Sequence, residues 1–298
     1  MRWALYILLG ILMLGMFDAA GRLIVLKGGA SFEFVRSATS NSRVLFVYDP
    51  GILHDGVTSS LTQVPVWKED GDVLLVSYTG KRFDGKAVAR ATGRELRYYV
   101  DYEGYDTVVF IGSSMGGLVS YDTYLFVADM PVEFKFILID APTKRSDFQA
   151  PLDKICLIGA AHFAGPISNL ASKLYFNATF RAPAEENIEP GVDRDELAKR
   201  VEEAKSFPLS MHNDWIRYII GHAPVAEDSL YGLDVVYMRS LRDTDTVRLE
   251  AFDAWDAAAG GSAKLVEVDS THVGYYERPQ TWNGAFRRAI GLLNLDRS

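Results

Sequence analysis

The chain has 298 residues, 48% of them hydrophobic, and a net charge of −8, with an isoelectric point near 5.2. That apolar content supports a large core and excludes disorder or low complexity. The absence of a dense Lys/Arg stripe disfavours nucleic acid as a partner, because phosphates need clustered cations. The single cysteine, Cys156, excludes an intrachain disulfide and a cysteine-based metal site.

After Met1-Arg2 come fifteen uncharged, mostly apolar residues, Trp3 to Phe17, and then Asp18. A spanning helix needs about 18–20 such residues and a signal-peptide core about 7–15. The run therefore stands between a cleaved signal and a retained anchor, with a buried helix as the third reading. Ala19-Ala20-Gly21 offers small residues for cleavage. Residues 1–21 are read as this leader or anchor, and residues 22–298 as the globular domain, placed outside the cytoplasm or in association with a membrane.

Leu23 to Lys27 and Ser31 to Arg36 look like two short strands joined in a hairpin through Gly28-Gly29. Val44 to Tyr48 (VLFVY) and Val73 to Tyr78 are continuous apolar runs, as expected of strands buried on both faces. The first of these ends in a turn signal, Asp49-Pro50-Gly51. Lys86 to Val100 reads as a helix, with Val88, Ala91, Leu96, Tyr99 and Val100 on one side.

The segment Thr107 to Ser120, TVVFIGSSMGGLVS, is the most informative stretch. A β-branched apolar run stops at Gly112, and a helical pattern starts after Ser114, giving strand, sharp turn and helix around G-x-S-x-G. The glycines have a steric reason. A serine on so tight a turn sits in strained backbone, and side chains two residues to either side would strike the strand and the helix. Ser114 is thereby expected at the carboxyl end of a buried strand, with the Met115 amide facing the same space.

Phe134 to Asp140 (FKFILID) is a further buried strand, and this alternation predicts a mainly parallel α/β sheet covered on both sides. Between Ala141 and Leu233 the alternation breaks. Asp193 to Lys205 reads as a surface helix with Asp193 as N-cap and Glu196 facing Arg200, and Ser210 to Ile220 as a second one. The block is read as a cap inserted above the sheet. Within it, Phe163, Phe176, Phe180, Trp215 and Tyr218 form the cap's own core or line an acyl or aromatic pocket. His54, His162, His212 and His222 lack metal-ligand spacing and read as loop or cap residues. Asp122 reads as solvent-facing or as capping a neighbour. The alternation resumes with Asp234 to Arg239, a helix around Glu250 to Ala259, Lys264 to Val268, and a terminal helix from Pro279.

Each of the last two strands is followed by a loop that carries chemistry: Ser240-Leu241-Arg242-Asp243-Thr244-Asp245 after the first and Asp269-Ser270-Thr271-His272-Val273-Gly274 after the second. Open parallel sheets hold their ligands at this edge. A serine becomes nucleophilic when a neighbouring imidazole takes its proton, and a carboxylate fixes the tautomer of that imidazole. Ser114, Asp243 and His272 meet these needs; register from the strand favours Asp243 over Asp245.

On GSSMG (Gly112–Gly116), SLRD (Ser240–Asp243) and STHVG around His272, in the order Ser…Asp…His, the chain resembles the α/β-hydrolases over roughly residues 22–298. The resemblance implies that fold and a serine hydrolase acting on a carboxylic ester or related acyl bond. Ser114 would attack, His272 would act as base and then acid, and Asp243 would orient His272. The Met115 amide and that of Gly51 or Ile52 would hold the oxyanion, with no cofactor or metal, on a small-molecule or lipid acyl substrate. Where the family commonly has His-Gly, this chain reads Asp49-Pro50-Gly51-Ile52. Pro50 has no N–H, so the second donor stays open between Gly51 and Ile52. The residues alone do not separate an esterase or lipase from an acyltransferase or carbon–carbon hydrolase on the same triad. A non-catalytic binding protein on this fold is the reading from another class.

Overall fold

The computed structural model describes residues 28–37, 42–52, 56–80, 82–148, 184–206, 209–243 and 246–295. The apolar run at 3–17, the Leu23–Lys27 strand, Cys156, His54, His162, Phe163, Phe176, Phe180 and Asp245 lie outside them, as does the side chain of His212. Among the described residues, no helix is long and apolar enough to cross a membrane.

Seven strands form one sheet: β1 (Gly29–Val35), β2 (Val44–Asp49), β3 (Asp72–Thr79), β4 (Thr107–Ser113), β5 (Glu133–Ile139), β6 (Asp234–Ser240) and β7 (Lys264–Val268). Their order across the sheet is β1-β3-β2-β4-β5-β6-β7, with β1 antiparallel at one edge and every other neighbouring pair parallel. Among the described residues the α-helices are α1 (Gly56–Ser60), α2 (Val64–Trp67), α3 (Gly85–Glu103), α4 (Met115–Val127), α5 (Arg194–Ser206), α6 (Leu209–Gly221), α7 (Ala251–Ala258) and α8 (Pro279–Leu292).

The continuous apolar runs behave as their composition demands. In β2 and β4 every residue is buried, and successive side chains enter different cores on the two faces of the sheet. Leu45, Val47, Val108 and Phe110 join α3, α4, α6 and α7 on one face. Phe46, Tyr48, Val109 and Ile111 meet α2 and α8 on the other. Of the hairpin expected through Gly28-Gly29, the Leu23–Lys27 arm lies outside the described residues, and the other arm starts two residues earlier than expected. Gly29 already belongs to β1 and pairs with Thr79 of β3. A Cβ on Gly28 would lie 2.1 Å from the Arg82 carbonyl oxygen, so a close backbone approach explains that glycine.

Connections run outward from β2 in one direction and, after β3, restart on its other side at β4. The crevice between the carboxyl ends of β2 and β4 is the topological switch point, where open α/β sheets bind ligands. Ser114 follows β4, and the turn at 50–52 follows β2, so both face that crevice's mouth.

The two helices read as part of a cap are present. Asp193 Oδ1 accepts the Asp195 and Glu196 amides at 2.9 and 3.2 Å, capping α5 as expected, and Glu196 pairs with Arg200. Trp215 and Tyr218 of α6 pack onto Phe83, just ahead of α3. Asp214 accepts from the Arg82 guanidinium at 2.5 and 3.0 Å and from the Phe83 amide at 3.1 Å. Asp122 is neither open to solvent nor a cap. It accepts Tyr218 Oη–H at 2.8 Å and lies 3.2 Å from His222 Nε2, tying α4 to α6.

Candidate active site

Ser114 stands between β4 and α4 with φ 50° and ψ −122°, a left-handed backbone that a non-glycine residue adopts only under constraint. The constraint is visible in the flanking glycines. A Cβ at Gly112 would lie 2.5 Å from the Gly117 Cα, which explains strand packing against helix. A Cβ at Gly116 would lie 2.0 Å from the Asp49 carbonyl oxygen, so this glycine serves the neighbouring strand β2 rather than its own. The Ser114 amide donates to the Ile139 carbonyl at 2.7 Å and is thus committed to β5. Met115 opens α4, where the first amides have no intrahelical acceptor. Gly51 is buried and Ile52 half-buried beside the end of β2.

The three side chains selected from sequence converge. His272 Nε2 is 3.0 Å from Ser114 Oγ, and its Nδ1 is 2.6 Å from Asp243 Oδ2. Both distances are within direct hydrogen-bond reach. Asp243 is itself held: Oδ1 accepts the Thr246 amide at 2.9 Å and Oδ2 the Val247 amide at 3.1 Å. Burial alone would raise its pKa. The facing imidazole and the two amides outweigh burial and hold it below the ordinary carboxylate value, so Asp243 is ionised at neutral pH. An isolated bridge between Phe148 and Val247 fastens this loop to the one that follows β5.

The histidine loop is similarly tied down. Arg242 forks onto Asp269 at 2.6 and 2.8 Å, and its amide donates to the Ser270 carbonyl at 2.9 Å, lacing the two loops together. Ser270 Oγ accepts Trp282 Nε1–H at 3.0 Å. Val273 has φ 51°, unusual for a β-branched residue.

Two buried carboxyls at this edge escaped the sequence reading. Asp140, at the end of β5, accepts the Ser240 amide (2.7 Å), the Ser240 hydroxyl (2.6 Å) and the Val273 amide (3.1 Å). It thereby fixes the turn that aims His272, and its Oδ2 is 3.8 Å from Nδ1. Its pKa is raised by burial, and Asp243 adds to the effect against the pull of His272. Asp49, at the end of β2, accepts Ser120 Oγ–H at 2.7 Å. The one signal for both was an aspartate that follows an apolar run at the end of its strand, Val44–Tyr48 for Asp49 and Phe136–Ile139 for Asp140. Asp140, Asp243 and His272 could by chemistry also hold a cation, although their oxygens already receive the N–H and O–H donors named above. The Ala141 carbonyl takes both Tyr237 Oη–H (3.2 Å) and Trp255 Nε1–H (2.8 Å), pinning the chain as it leaves the sheet. A cavity of about 270 Å³ between α5 and the start of α8 is lined by Glu189, Arg200, Tyr276 and Pro279 and by none of the three converging residues.

No family model matches the chain, and no curated protein matches it. Solved structures do. The enol-lactonase from Burkholderia xenovorans is similar at 14% identity and a TM-score of 0.64, covering 88% of this chain and 96% of that one. A thermophilic esterase from Thermogutta terrifontis shows 15% identity and 0.62, covering 89% and 94%. The meta-cleavage product hydrolase from Pseudomonas fluorescens shows 12% and 0.56, covering 89% and 95%. Strand order, the serine elbow and this likeness agree: the chain has the α/β-hydrolase fold.

Proposed function

We propose that the protein is a serine hydrolase that cleaves a carboxylic ester or related acyl bond. The observation that carries the reading is the relay Asp243 Oδ2, His272 Nδ1, His272 Nε2, Ser114 Oγ at 2.6 and 3.0 Å. Ser114 Oγ bonds to the carbonyl carbon while Nε2 takes its proton, and the π electrons move to the carbonyl oxygen. The resulting oxyanion would be met by the Met115 amide and by that of Gly51 or Ile52. Collapse expels the alkoxide, which receives the proton from Nε2. Water, deprotonated by the same nitrogen, then releases the acid and restores Ser114. Asp243 stays ionised throughout and stabilises the imidazolium. None of these steps asks for a metal or cofactor.

A fluorophosphonate probe tests this directly. Ser114 Oγ should bond to phosphorus, fluoride should leave, and peptide mapping should find the adduct on Ser114. A wild-type protein with no adduct there overturns the reading. The solved neighbours include an enol-lactonase, an esterase and a meta-cleavage product hydrolase, so bond type needs its own measurement. We read the apolar run at 3–17 as bringing the domain to or across a membrane, where lipid acyl groups are at hand. A p-nitrophenyl ester series should then favour long over short acyl chains. Turnover confined to acetate and butyrate would remove the lipid reading and leave the serine mechanism intact.

A further inference from the structure

Asp49 is fully buried. Oδ2 accepts from Ser120 of α4, whereas the equally sealed Oδ1 has no hydrogen-bond partner among the described residues. The backbone beside it is fixed from two sides. The Pro50 carbonyl accepts Tyr78 Oη–H at 2.8 Å, and Gly116, two residues past Ser114, leaves room for nothing larger than hydrogen against the Asp49 carbonyl. One carboxyl thus bridges the helix that starts after Ser114 and the 50–52 turn, which in the proposed mechanism offers the second oxyanion amide.

We propose that Asp49 is a positioning residue: as a neutral acid bonded to Ser120 it locks the 50–52 turn against α4, and its ionisation loosens that lock. The inference rests on the acyl-transfer reading of Ser114. A neutral carboxyl tolerates a dry site with one donor. An anion there keeps unsatisfied lone pairs and draws in water or moves the backbone to find it. Burial pushes the Asp49 pKa up to about 7, with the Ser120 hydroxyl acting in the opposite direction. The titratable groups facing it are Tyr78 from β3 and Tyr218 from α6, the latter bonded to Asp122. Both phenols are held well above their ordinary value, chiefly by burial, so they stay neutral and offer Asp49 no compensating charge. An acid whose pKa is higher folded than unfolded lowers stability as soon as its unfolded form ionises, while the folded carboxyl is still protonated. Its effect on stability grows as pH rises from about 4, the unfolded value, to about 7, and is constant above.

The test measures the Ser114 labelling rate at saturating fluorophosphonate, with its half-saturating concentration, and the melting temperature, both from pH 5 to 9. Wild type should label more slowly as pH rises through about 7. Asp49→Asn, neutral at every pH, should show no such decline, and its melting temperature should lose the matching pH dependence. Ser120→Ala, which removes the donor that favours the anion, should move the decline to higher pH. Asp49→Ala should label about 10–100-fold more slowly at pH 6 with its half-saturating concentration within about two-fold, the signature of a misplaced group rather than lost affinity. An Asn variant that keeps the wild-type decline, or an Ala variant that labels at the wild-type rate, overturns the inference. Should the Ala variant not fold, the Asn and Ser120→Ala profiles decide. A wild-type protein that takes no label at Ser114 defeats the hydrolase reading instead, a separate and earlier result.

Discussion

Ser114→Ala is expected to lower kcat/KM on a p-nitrophenyl ester by about 10⁴–10⁶-fold while leaving the fold in place. The removed atom is the one 3.0 Å from His272 Nε2, and alanine fits wherever serine did. His272→Ala should lose a similar amount, and the double variant should be no worse than either single one, because the two groups act as a unit. Asp243→Asn should fall by about 10⁴-fold for a different reason. An amide at this position presents an N–H toward Nδ1 and favours the wrong tautomer, leaving Nε2 protonated and unable to take the serine proton. Steady-state rates for the four variants, with circular dichroism to verify folding, check the set. A Ser114→Ala protein that keeps a tenth of wild-type activity would remove the serine from the mechanism.

The second large effect concerns stability. Gly116→Ala puts a methyl carbon 2.0 Å from the Asp49 carbonyl oxygen and 2.7 Å from that of Pro50. Both obstacles are backbone, so no rotamer change relieves them, and either α4 or the end of β2 must move. Overpacking at a rigid site costs about 3 kcal/mol, which for a domain of this size is roughly 6–12 °C in melting temperature. Activity should fall with it, since the two segments forced apart carry Ser114 and the 50–52 turn. Gly291, in the last turn of α8, serves as the control. A Cβ there meets nothing within 4 Å, so Gly291→Ala should be neutral or stabilise by about 0.4–1 kcal/mol. Equal melting temperatures for the two variants would contradict the steric account.

The elbow and the strands were legible because their causes are local. A buried parallel strand must be apolar on both faces, and the turn after β4 must have glycine where backbones meet. Both constraints act within a few residues and leave a mark in the sequence. Asp243 and His272 were legible because each follows a recognisable strand, although they lie 29 residues apart and His272 lies 158 from Ser114. Asp49 and Asp140 were not. Each looks like an ordinary strand-ending turn residue, and its burial comes from segments far away: Ser120, 71 residues on, for the first, and Ser240 and Val273, 100 and 133 residues on, for the second. Asp122 was misread for the same reason. Helical spacing places it on a face of α4, but only the arrival of α6, with Tyr218 96 residues away, covers that face. At Gly28 and Gly29 the sequence was ambiguous for another reason, because a glycine serves a close backbone approach or the start of a strand as readily as a turn.

The Ala141 carbonyl has a mechanical consequence. With both lone pairs taken by Tyr237 and Trp255, this peptide behaves as a bolted joint between the sheet and the chain that leaves it. Tension arising farther along that excursion is grounded in β6 and α7 before it can travel back to the carboxylate one residue upstream. The surroundings of the reaction can therefore be rebuilt by lengthening or shortening the excursion while the proton-transfer geometry keeps its alignment.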